Sequence, residues 1–313
     1  MLQQDSEQWA TERLLDLFLA LSTLPVLVFL WHCYRVGWEE MPQAIIAPLS
    51  FNEGLPVGTD LGTVMDRRLY RYLQDYAGRY SWSGMSRVHR GIRRQSWNLR
   101  EPRGVQSPGV FFLPDLPSAP YLSRDAQRHD VETLEHGFPA ILMDFGGIQR
   151  DFTNDTNGAV AAGWTLNTGG GQYTFYLYRK GMRVTGNCRS CPRIYRLLSS
   201  LRTFIGGNIF GNAGFSVLLP GMMVPGKCGP TNTRVRCQLG IKIPPGCELV
   251  VGGEPQCWAE GHCLLIDDSF LHTVSHNGSA EDGPQVLFIV DLWHPNVAAV
   301  ERQALDFIFA PGR

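Results

Sequence analysis

The sequence has no excess of charge of either sign, since 28 Lys and Arg are balanced by 29 Asp and Glu for a formal net charge of -1. Nucleic-acid binding needs a basic surface that neutralises phosphates, and no zinc-finger or helix-turn-helix pattern is present. We therefore expect no nucleic-acid partner. Apolar residues make up 44% of the 313, which excludes extensive disorder and predicts one large domain with accessory segments.

The charge balance has one local exception. From Arg67 to Arg103, ten arginines alternate with tyrosine and tryptophan. Such a segment could contact phosphates or lipid headgroups. We favour the alternative, an amphipathic helical stretch whose arginines are solvated while its aromatic rings pack beneath them. A helix is predicted from about Asp66 to Gly78.

Cysteine occurs eight times, but in no pattern that completes a zinc site. Cys188 and Cys191 form a CxxC pair, yet no second pair supplies further ligands and no thioredoxin-like βαβ pattern surrounds them. We therefore expect a local disulfide between these two residues. Such a bond requires an oxidising compartment.

One long uncharged run stands near the N-terminus. Leu17 to Tyr34 comprises 18 residues, which as a helix would be about 27 Å long, close to the thickness of the bilayer core. Trp31 and Trp38 lie where an interfacial aromatic belt would be. A cleaved signal peptide fits less well, because the start is acidic and no small-residue cleavage site follows. The sequence predicts a tail over 1–16 and a transmembrane helix over 17–34.

The remainder divides into a juxtamembrane linker with the arginine-rich helical segment over 35–107 and a domain over 108–313. Four prolines between Pro108 and Leu122 predict an extended strap on that domain. Ser123 is a candidate N-cap for a helix that continues toward Phe145. Helical periodicity returns over 299–310, which we expect to pack on the exterior of a sheet.

From Gln172 onward, short apolar runs separated by Gly and Pro predict an antiparallel β-sandwich or barrel. Strands are predicted at 172–178, 214–219, 233–241, 248–252, 263–267, 271–275 and 285–292, with a turn at Gly252-Gly253. In the third strand, alternation places Arg234, Arg236 and Gln238 on one face and apolar residues on the other. We expect the polar face to line a cavity or to meet solvent.

Three strings in this region resemble the aspartyl/asparaginyl β-hydroxylase family: CGPTN from Cys228 leading into Arg234-Val235-Arg236, DDSFLH from Asp267, and FIVDLWHP from Phe288. The resemblance extends more weakly from about Val110 to the C-terminus. The order of membrane helix, spacer and domain is similar to that of the family's membrane-anchored members. The resemblance implies a mainly β fold with flanking helices, a double-stranded β-helix (jelly roll, cupin-like). It also implies Fe(II), 2-oxoglutarate and hydroxylation of the β-carbon of Asp or Asn in luminal proteins.

In that family two histidines hold the iron, and the second of them maps onto His272. The position of the first holds Lys227, whose ammonium has no lone pair at neutral pH and would repel a divalent cation. We expect Asp267 and Asp268 to orient His272 or to end the strand rather than to bind metal. A different metal held by His272 with Cys228 or Asp268 is the least favoured alternative.

The family's 2-oxoglutarate contacts map onto Ser216, Arg236, Gln238 and Gln285. The last two stand where the family has histidine and arginine. An amide in place of a guanidinium gives up a charge-assisted contact that contributes about 1.5 to 3 kcal/mol.

Two further histidines receive different interpretations. His294, in the Trp-His-Pro string that ends the last strand, is interpreted as structural. We expect His276, which precedes an Asn-Gly turn, to be exposed to solvent.

Two functions therefore remain open. The motifs favour a membrane-anchored dioxygenase that depends on Fe(II) and 2-oxoglutarate and hydroxylates Asp or Asn in a protein or peptide substrate. Lys227, Gln238 and Gln285 favour a catalytically inactive member that acts as a membrane-tethered binding module. Iron content and 2-oxoglutarate affinity of the purified domain would discriminate between them.

The membrane orientation is predicted from two sequons, at Asn154 and Asn277, and from the cysteine usage. Both favour a C-terminal domain in the lumen of the endoplasmic reticulum or secretory pathway. We expect Asn277, in its Gly-containing turn, to be glycosylated more readily than Asn154, so a glycosidase should shift the gel mobility of the expressed protein. An unshifted protein whose cysteines are all reduced in intact cells would contradict a luminal domain.

Overall fold

The computed structural model describes residues 61–95, 105–153, 163–167 and 171–312. The predicted tail and spanning segment over 1–34 and the sequon at Asn154 lie outside them. Within the described ranges, no helix is both long and apolar enough to cross a bilayer.

The described residues form α-helices, short 3-10 helices and β-strands. The helices are α1 Leu61–Arg79, α2 Ser86–Gln95, α3 Arg128–His136, α4 Phe138–Thr153, α5 Thr185–Ser190, α6 Pro192–Ser200 and α7 Ala299–Ile308, with 3-10 turns at Arg124–Gln127 and Ala280–Asp282. The strands are β1 Tyr121–Leu122, β2 Trp164–Leu166, β3 Gln172–Arg179, β4 Met182–Arg183, β5 Ala213–Leu218, β6 Met223–Lys227, β7 Arg234–Lys242, β8 Cys247–Val251, β9 Glu254–Gln256, β10 Cys263–Ile266, β11 His272–His276 and β12 Gln285–Trp293.

The strands form two antiparallel sheets. The large sheet has the order β1-β10-β7-β12-β5-β3-β2, with β4 paired to β3, and the small sheet has the order β6-β11-β8-β9. From β5 to β12 the chain passes repeatedly between the sheets, so β5, β12, β7 and β10 face β6, β11, β8 and β9. This is the arrangement of an eight-stranded jelly roll. The predicted mainly β fold with flanking helices is confirmed.

All seven predicted strands form, within two residues of the predicted ends. The turn at Gly252-Gly253 is also present, and both glycines have positive φ angles, of 60° and 87°. Five further strands were not predicted; three are the short β1, β2 and β4 of the large sheet, and the other two are β6 and β9. Each of these last two contains a proline, Pro225 or Pro255, and each is an edge strand of the small sheet, where proline removes no hydrogen bond of the ladder.

Two cores flank the large sheet. Its outer face carries Phe215, Val235 and Phe288 and is covered by the helices α3 to α6. Its inner face packs against the small sheet through a core that includes Leu249, Leu287 and neighbouring apolar residues. The polar face predicted for the strand at 233–241 therefore lies between the two sheets.

A third core joins the arginine-rich helices to the C-terminal helix. Leu73 of α1 and Val88 of α2 are fully buried and share this core with Leu305 of α7. The arginines Arg67, Arg68, Arg71 and Arg79 are exposed on α1, as the amphipathic prediction requires. The prediction that the aromatic rings pack beneath the arginines fails for Trp82, which is 51% exposed. The division into a segment over 35–107 and a domain over 108–313 stays a prediction.

The proline-rich segment forms the predicted strap. Its Leu113 donates its backbone N–H to Asn232 Oδ1 at 2.8 Å, and Asn232 Nδ2 donates back to Leu113 O at 2.9 Å. The strap ends in β1, which pairs with β10. Ser123 caps the following 3-10 turn by accepting from Asp125 N at 3.3 Å, after which α3 and α4 follow. The asparagine of the CGPTN string thus holds the strap.

The expected disulfide between Cys188 and Cys191 is not formed. Both residues are buried free thiols. Cys188 Sγ donates to Leu177 O at 3.4 Å, and burial raises the pKa of Cys191 to about 12. These thiols belong to the core under α5 and α6, and they no longer support an oxidising compartment.

Truncating Leu73 tests whether the arginine-rich helices contribute to the stability of the domain. Leu73→Ala removes a fully buried side chain from the third core and should lower the free energy of unfolding by about 2 to 5 kcal/mol. Leu142→Ala, at a side chain of α4 that is 39% exposed, is the control and should change it by about 0.5 kcal/mol or less. Urea denaturation of residues 61–313 measures both. If the two variants lowered the free energy of unfolding by the same amount, α1 would not be part of the unit that unfolds cooperatively.

Candidate functional site

The residues predicted to bind a cosubstrate all lie on the inner face of the large sheet. Directly opposed residues of antiparallel strands share a face. Ser216, Gln238 and Arg236 lie opposite Leu287, Ile289 and Asp291 of β12. Alternate residues of a strand point to the same face, so Gln285 of β12 shares that face as well. The structure thus places all four on one face, with Gln285 and Arg236 toward opposite ends of β12, although the binding role of each stays a prediction.

The two positions predicted to correspond to iron ligands are neighbours on the small sheet. His272 of β11 lies directly opposite Lys227 of β6 and, on its other side, opposite Val251 of β8. His272 is 6% exposed, whereas Lys227 is exposed at the sheet edge. The backbone arrangement expected of a pair of ligands is therefore present, with an ammonium in place of one imidazole.

The His272 ring is held in a defined orientation. Its Nδ1 lies 3.0 Å from Phe270 O, and because a carbonyl only accepts, Nδ1 carries the proton and Nε2 keeps its lone pair. Burial lowers the pKa of His272, and the opposing charge of Asp268 does not fully compensate. A buried neutral imidazole of this tautomer is able to bind metal through Nε2.

Beside His272 lies a buried cluster of two arginines and two aspartates. Arg234 forms ion pairs with Asp268 and, at 3.0 Å, with Asp291. Arg236 donates to Asp291 Oδ1 at 2.8 Å through Nε and lies 3.5 Å from Asp268 through Nη1. Three of these side chains are at most 4% exposed and Arg236 is 18% exposed. Two positive and two negative charges leave the cluster neutral.

The cluster sets the ionisation of its members. Burial alone would raise the pKa of Asp268, but Arg234 and Arg236 hold it well below its usual range. Burial would likewise lower the pKa of Arg236, but Asp291 and Asp268 raise it. The arginine predicted to bind a cosubstrate carboxylate is therefore already engaged by two carboxylates.

The two aspartates of the DDSFLH string have different roles. Asp267 accepts from Ser269 N at 3.0 Å and from Ser118 Oγ at 2.7 Å, and burial raises its pKa to about 6 despite these bonds. Asp268 acts on His272 through charge rather than through a hydrogen bond. Gly229 of the CGPTN string lies so close that a Cβ there would be 2.6 Å from the Asp268 carboxyl group. The string therefore has a packing role.

The other end of the inner face is polar but uncharged. Gln238 Oε1 accepts from Trp258 Nε1 at 2.6 Å, and Ser216 Oγ accepts from Gln172 Nε2 at 3.1 Å. Gln285 is 2% exposed, and its buried Nε2 has no hydrogen-bond partner among the described residues. This end of the face offers donors without positive charge.

The two remaining histidines are both buried. His294, 2% exposed, accepts from Asn296 N through Nδ1, and burial lowers its pKa to about 4, as the structural interpretation requires. The expected solvent exposure of His276 is wrong. It is fully buried, with Nε2 donating to Gly283 O at 2.9 Å and Nδ1 accepting from Gly278 N at 3.2 Å. Its turn folds back over the ring.

Sequence reasoning missed Asp291, Trp258 and Gln172 as members of the site. Asp291 had a signal, because it is the charged residue in the otherwise apolar run from Val286 to Trp293. Trp258 and Gln172 had none, since each is recognisable only by the side chain it contacts.

The residues present do not fit Fe(II) and 2-oxoglutarate. Lys227 supplies a cation at the position predicted for the first iron ligand, and within the described ranges no group of three or more His, Cys, Asp and Glu is placed to hold a metal. The dicarboxylate would meet neutral Gln285 and an arginine-carboxylate cluster without net positive charge. The tautomer of His272 is the feature that does fit.

Comparison with known proteins identifies the class of protein. The model of the Aspartyl/Asparaginyl beta-hydroxylase family matches residues 135–295. Human Aspartate beta-hydroxylase domain-containing protein 1 is 56% identical over 330 residues, covering 96% of this chain and 80% of that protein. Human Aspartate beta-hydroxylase domain-containing protein 2 is 54% identical over 306 residues, covering 92% and 82%. The chain belongs to the aspartyl/asparaginyl β-hydroxylase family.

More distant likenesses are weaker. Human Aspartyl/asparaginyl beta-hydroxylase is 36% identical over 135 residues, which is 43% of this chain and 17% of that protein. A solved oxidoreductase of the 2OG-Fe(II) oxygenase family from Burkholderia pseudomallei matches with a TM-score of 0.30 and 11% identity, over 42% of this chain and 72% of that one. A TM-score this low supports no argument about this chain.

Asp268→Asn tests the buried cluster. It leaves the guanidinium of Arg234 without one of its carboxylates, and breaking a buried ion pair on one side should lower the free energy of unfolding by about 3 to 5 kcal/mol at pH 7. The pKa of Asp268 is depressed in the folded state, so its stabilisation is full above the unfolded pKa of about 3.9 and decreases below it. The difference between the two proteins should therefore shrink below about pH 4.

The matched control is Asp125→Asn, which breaks the exposed pair with Arg128 and should leave stability nearly unchanged. Denaturant unfolding across pH 3 to 7 makes both measurements. A stability difference that grew on acidification would contradict the assigned charge state.

Proposed function

We propose that this chain is a membrane-tethered member of its family that binds an Asp- or Asn-containing peptide without hydroxylating it. The observation that carries the proposal is the register of β6 on β11, which sets Lys227 opposite His272. An ammonium keeps its proton at neutral pH and repels a divalent cation. The family supplies the class of partner, a peptide with Asp or Asn.

The edge of the small sheet supports a peptide partner. β6 is an edge strand beside the His272–Lys227 pair, and it leaves part of its backbone ladder available to an added strand. Exposed apolar side chains flank it, with Met223 63%, Leu271 49% and Met222 41% exposed. An extended peptide placed along β6 would reach the His272–Lys227 pair.

Membrane tethering rests on the uncharged run from Leu17 to Tyr34. The luminal orientation rests on the two sequons, since the cysteines are free in the described fold. Alkaline extraction of membranes tests the tether. Release of the full chain into the supernatant would contradict it.

A second candidate function is hydroxylation that depends on Fe(II) and 2-oxoglutarate. The tautomer of His272 favours it, because an imidazole that donates Nδ1–H to a carbonyl is oriented as metal-binding histidines commonly are. This function needs a second ligand that Lys227 does not supply.

A ligand-stabilisation experiment separates the two functions. A ligand present far below its dissociation constant adds almost no stability. We therefore expect Fe(II) and 2-oxoglutarate to leave the melting temperature of the unmodified domain unchanged. Lys227→His with Gln285→Arg should restore stabilisation by both, and adding Gln238→His should strengthen it.

The control is the double variant with His272→Ala added, which should abolish the restored response to iron. Stoichiometric iron in the unmodified domain, with turnover of 2-oxoglutarate that His272→Ala removes, would make the second candidate correct. An Asp-containing peptide that fails to bind the unmodified domain would contradict the first.

A further inference from the structure

The inner face of the large sheet contains a buried hydrogen-bond donor that the fold does not use. Gln285 is 2% exposed, and its Nε2 has no partner among the described residues. Gln285 is two residues before Leu287, which lies opposite Ser216, so its side chain is on the same face as Ser216 and points between the sheets. Buried polar groups are nearly always paired, so an unpaired one needs an explanation, such as a ligand.

Further donors lie on the same face. Ser216 Oγ accepts from Gln172, so its own proton is left for another acceptor. Gln238 Oε1 is taken by Trp258 Nε1, so the amide N–H groups of Gln238 are left to donate. Both residues are buried, at 8% and 6% exposure. The unused hydrogen-bonding capacity of this face is therefore mostly that of neutral donors.

Among the described residues that face these donors, the buried charges balance, and Lys227 at the end of β6 is exposed to solvent. Arg234 and Arg236 share the face, but Asp268 and Asp291 neutralise them. Lys242, at the end of β7, is exposed to solvent. A carboxylate here would lose its hydration without gaining a countercharge, which is unfavourable.

A carboxamide would bind to the same groups more favourably than a carboxylate. It is uncharged, so its desolvation costs less, and it carries one acceptor oxygen beside an N–H₂ donor. The side-chain amide of Gln285 has the same two groups, so two amides can exchange a pair of hydrogen bonds. Ser216 can donate to the second lone pair of the ligand oxygen.

We propose that Gln285 and Ser216 bind the carboxamide end of a small molecule on the inner face of the large sheet. The ligand oxygen accepts from Gln285 Nε2 and Ser216 Oγ, and the ligand N–H donates to Gln285 Oε1. Gln238 donates to an acceptor toward the other end of the ligand. No bond is made or broken. The site goes beyond the proposed peptide binding, which uses the exposed edge at β6, so either proposal can fail alone.

Two probes that differ at one end test this site. They are 2-oxoglutarate and its 5-amide, 2-oxoglutaramate, whose affinities for the full chain, purified in detergent, are measured by calorimetry at pH 7. We expect the amide to bind at least about tenfold more tightly, since the carboxylate has no countercharge to offset its dehydration. Gln285→Arg should reverse the order by providing a charge-assisted contact to the carboxylate. The matched control Gln256→Arg adds the same charge on exposed β9 and should leave the order unchanged.

A second variant distinguishes loss of binding from loss of folding. Gln285→Leu replaces the unpaired amide with an apolar side chain of similar size, so the melting temperature should be equal or higher while amide binding is lost. Retained binding in Gln285→Leu would overturn the proposal. So would equal or tighter binding of 2-oxoglutarate to the unmodified chain, or no binding of either probe at millimolar concentration. Tighter binding of an Asn-containing tripeptide than of 2-oxoglutaramate, when Gln285→Leu abolishes the binding of the tripeptide, would overturn its small-molecule form.

Discussion

The pairing of two buried arginines with two buried aspartates is the constraint on which the site depends. Arg234 and Arg236 come from β7, Asp291 from β12 and Asp268 from the loop before β11, so one cluster connects two strands of the large sheet to the loop that leads into the small sheet. Removing one partner would leave an uncompensated buried charge, which is strongly destabilising. The same pairing neutralises the guanidinium of Arg236, so the cluster that stabilises the site also leaves no net positive charge on Arg236 for an anionic ligand.

The backbone of this family member suits a metal site, whereas the side chains at the candidate positions do not. The strand order, the register of β6 on β11 and the orientation of His272 are those of a barrel able to present ligands to a metal. Lys227 and Gln285, at positions predicted to bind metal and cosubstrate, fit within that frame, because a strand accepts many side chains at a given register. Family membership therefore fixes the architecture, while the individual side chains determine what is bound.

The strands could be predicted because their apolar residues alternate and because Gly and Pro mark the turns between them. The strand that carries Lys227 could not, because Pro225 and Gly226 break the pattern and an edge strand tolerates them. The resemblance carried by the CGPTN and DDSFLH strings implied Ser216, Arg236, Gln238, His272 and Gln285 as a candidate set. The partners of these residues were not predictable, since Arg236 and Asp291 are 55 residues apart in sequence.

The sequence by itself determined the antiparallel β class and the polar face of β7, because both follow from local pattern, and the resemblance of its motifs implied the jelly roll and the candidate positions Lys227 and Gln285. Only the tertiary structure decided that Arg236 is neutralised, that His276 is buried, that Cys188 and Cys191 remain thiols and that Gln285 keeps an unpaired donor. The physical reason is that a buried polar group is defined by the side chains that reach it. Those side chains come from distant segments that meet only when the two sheets close on each other.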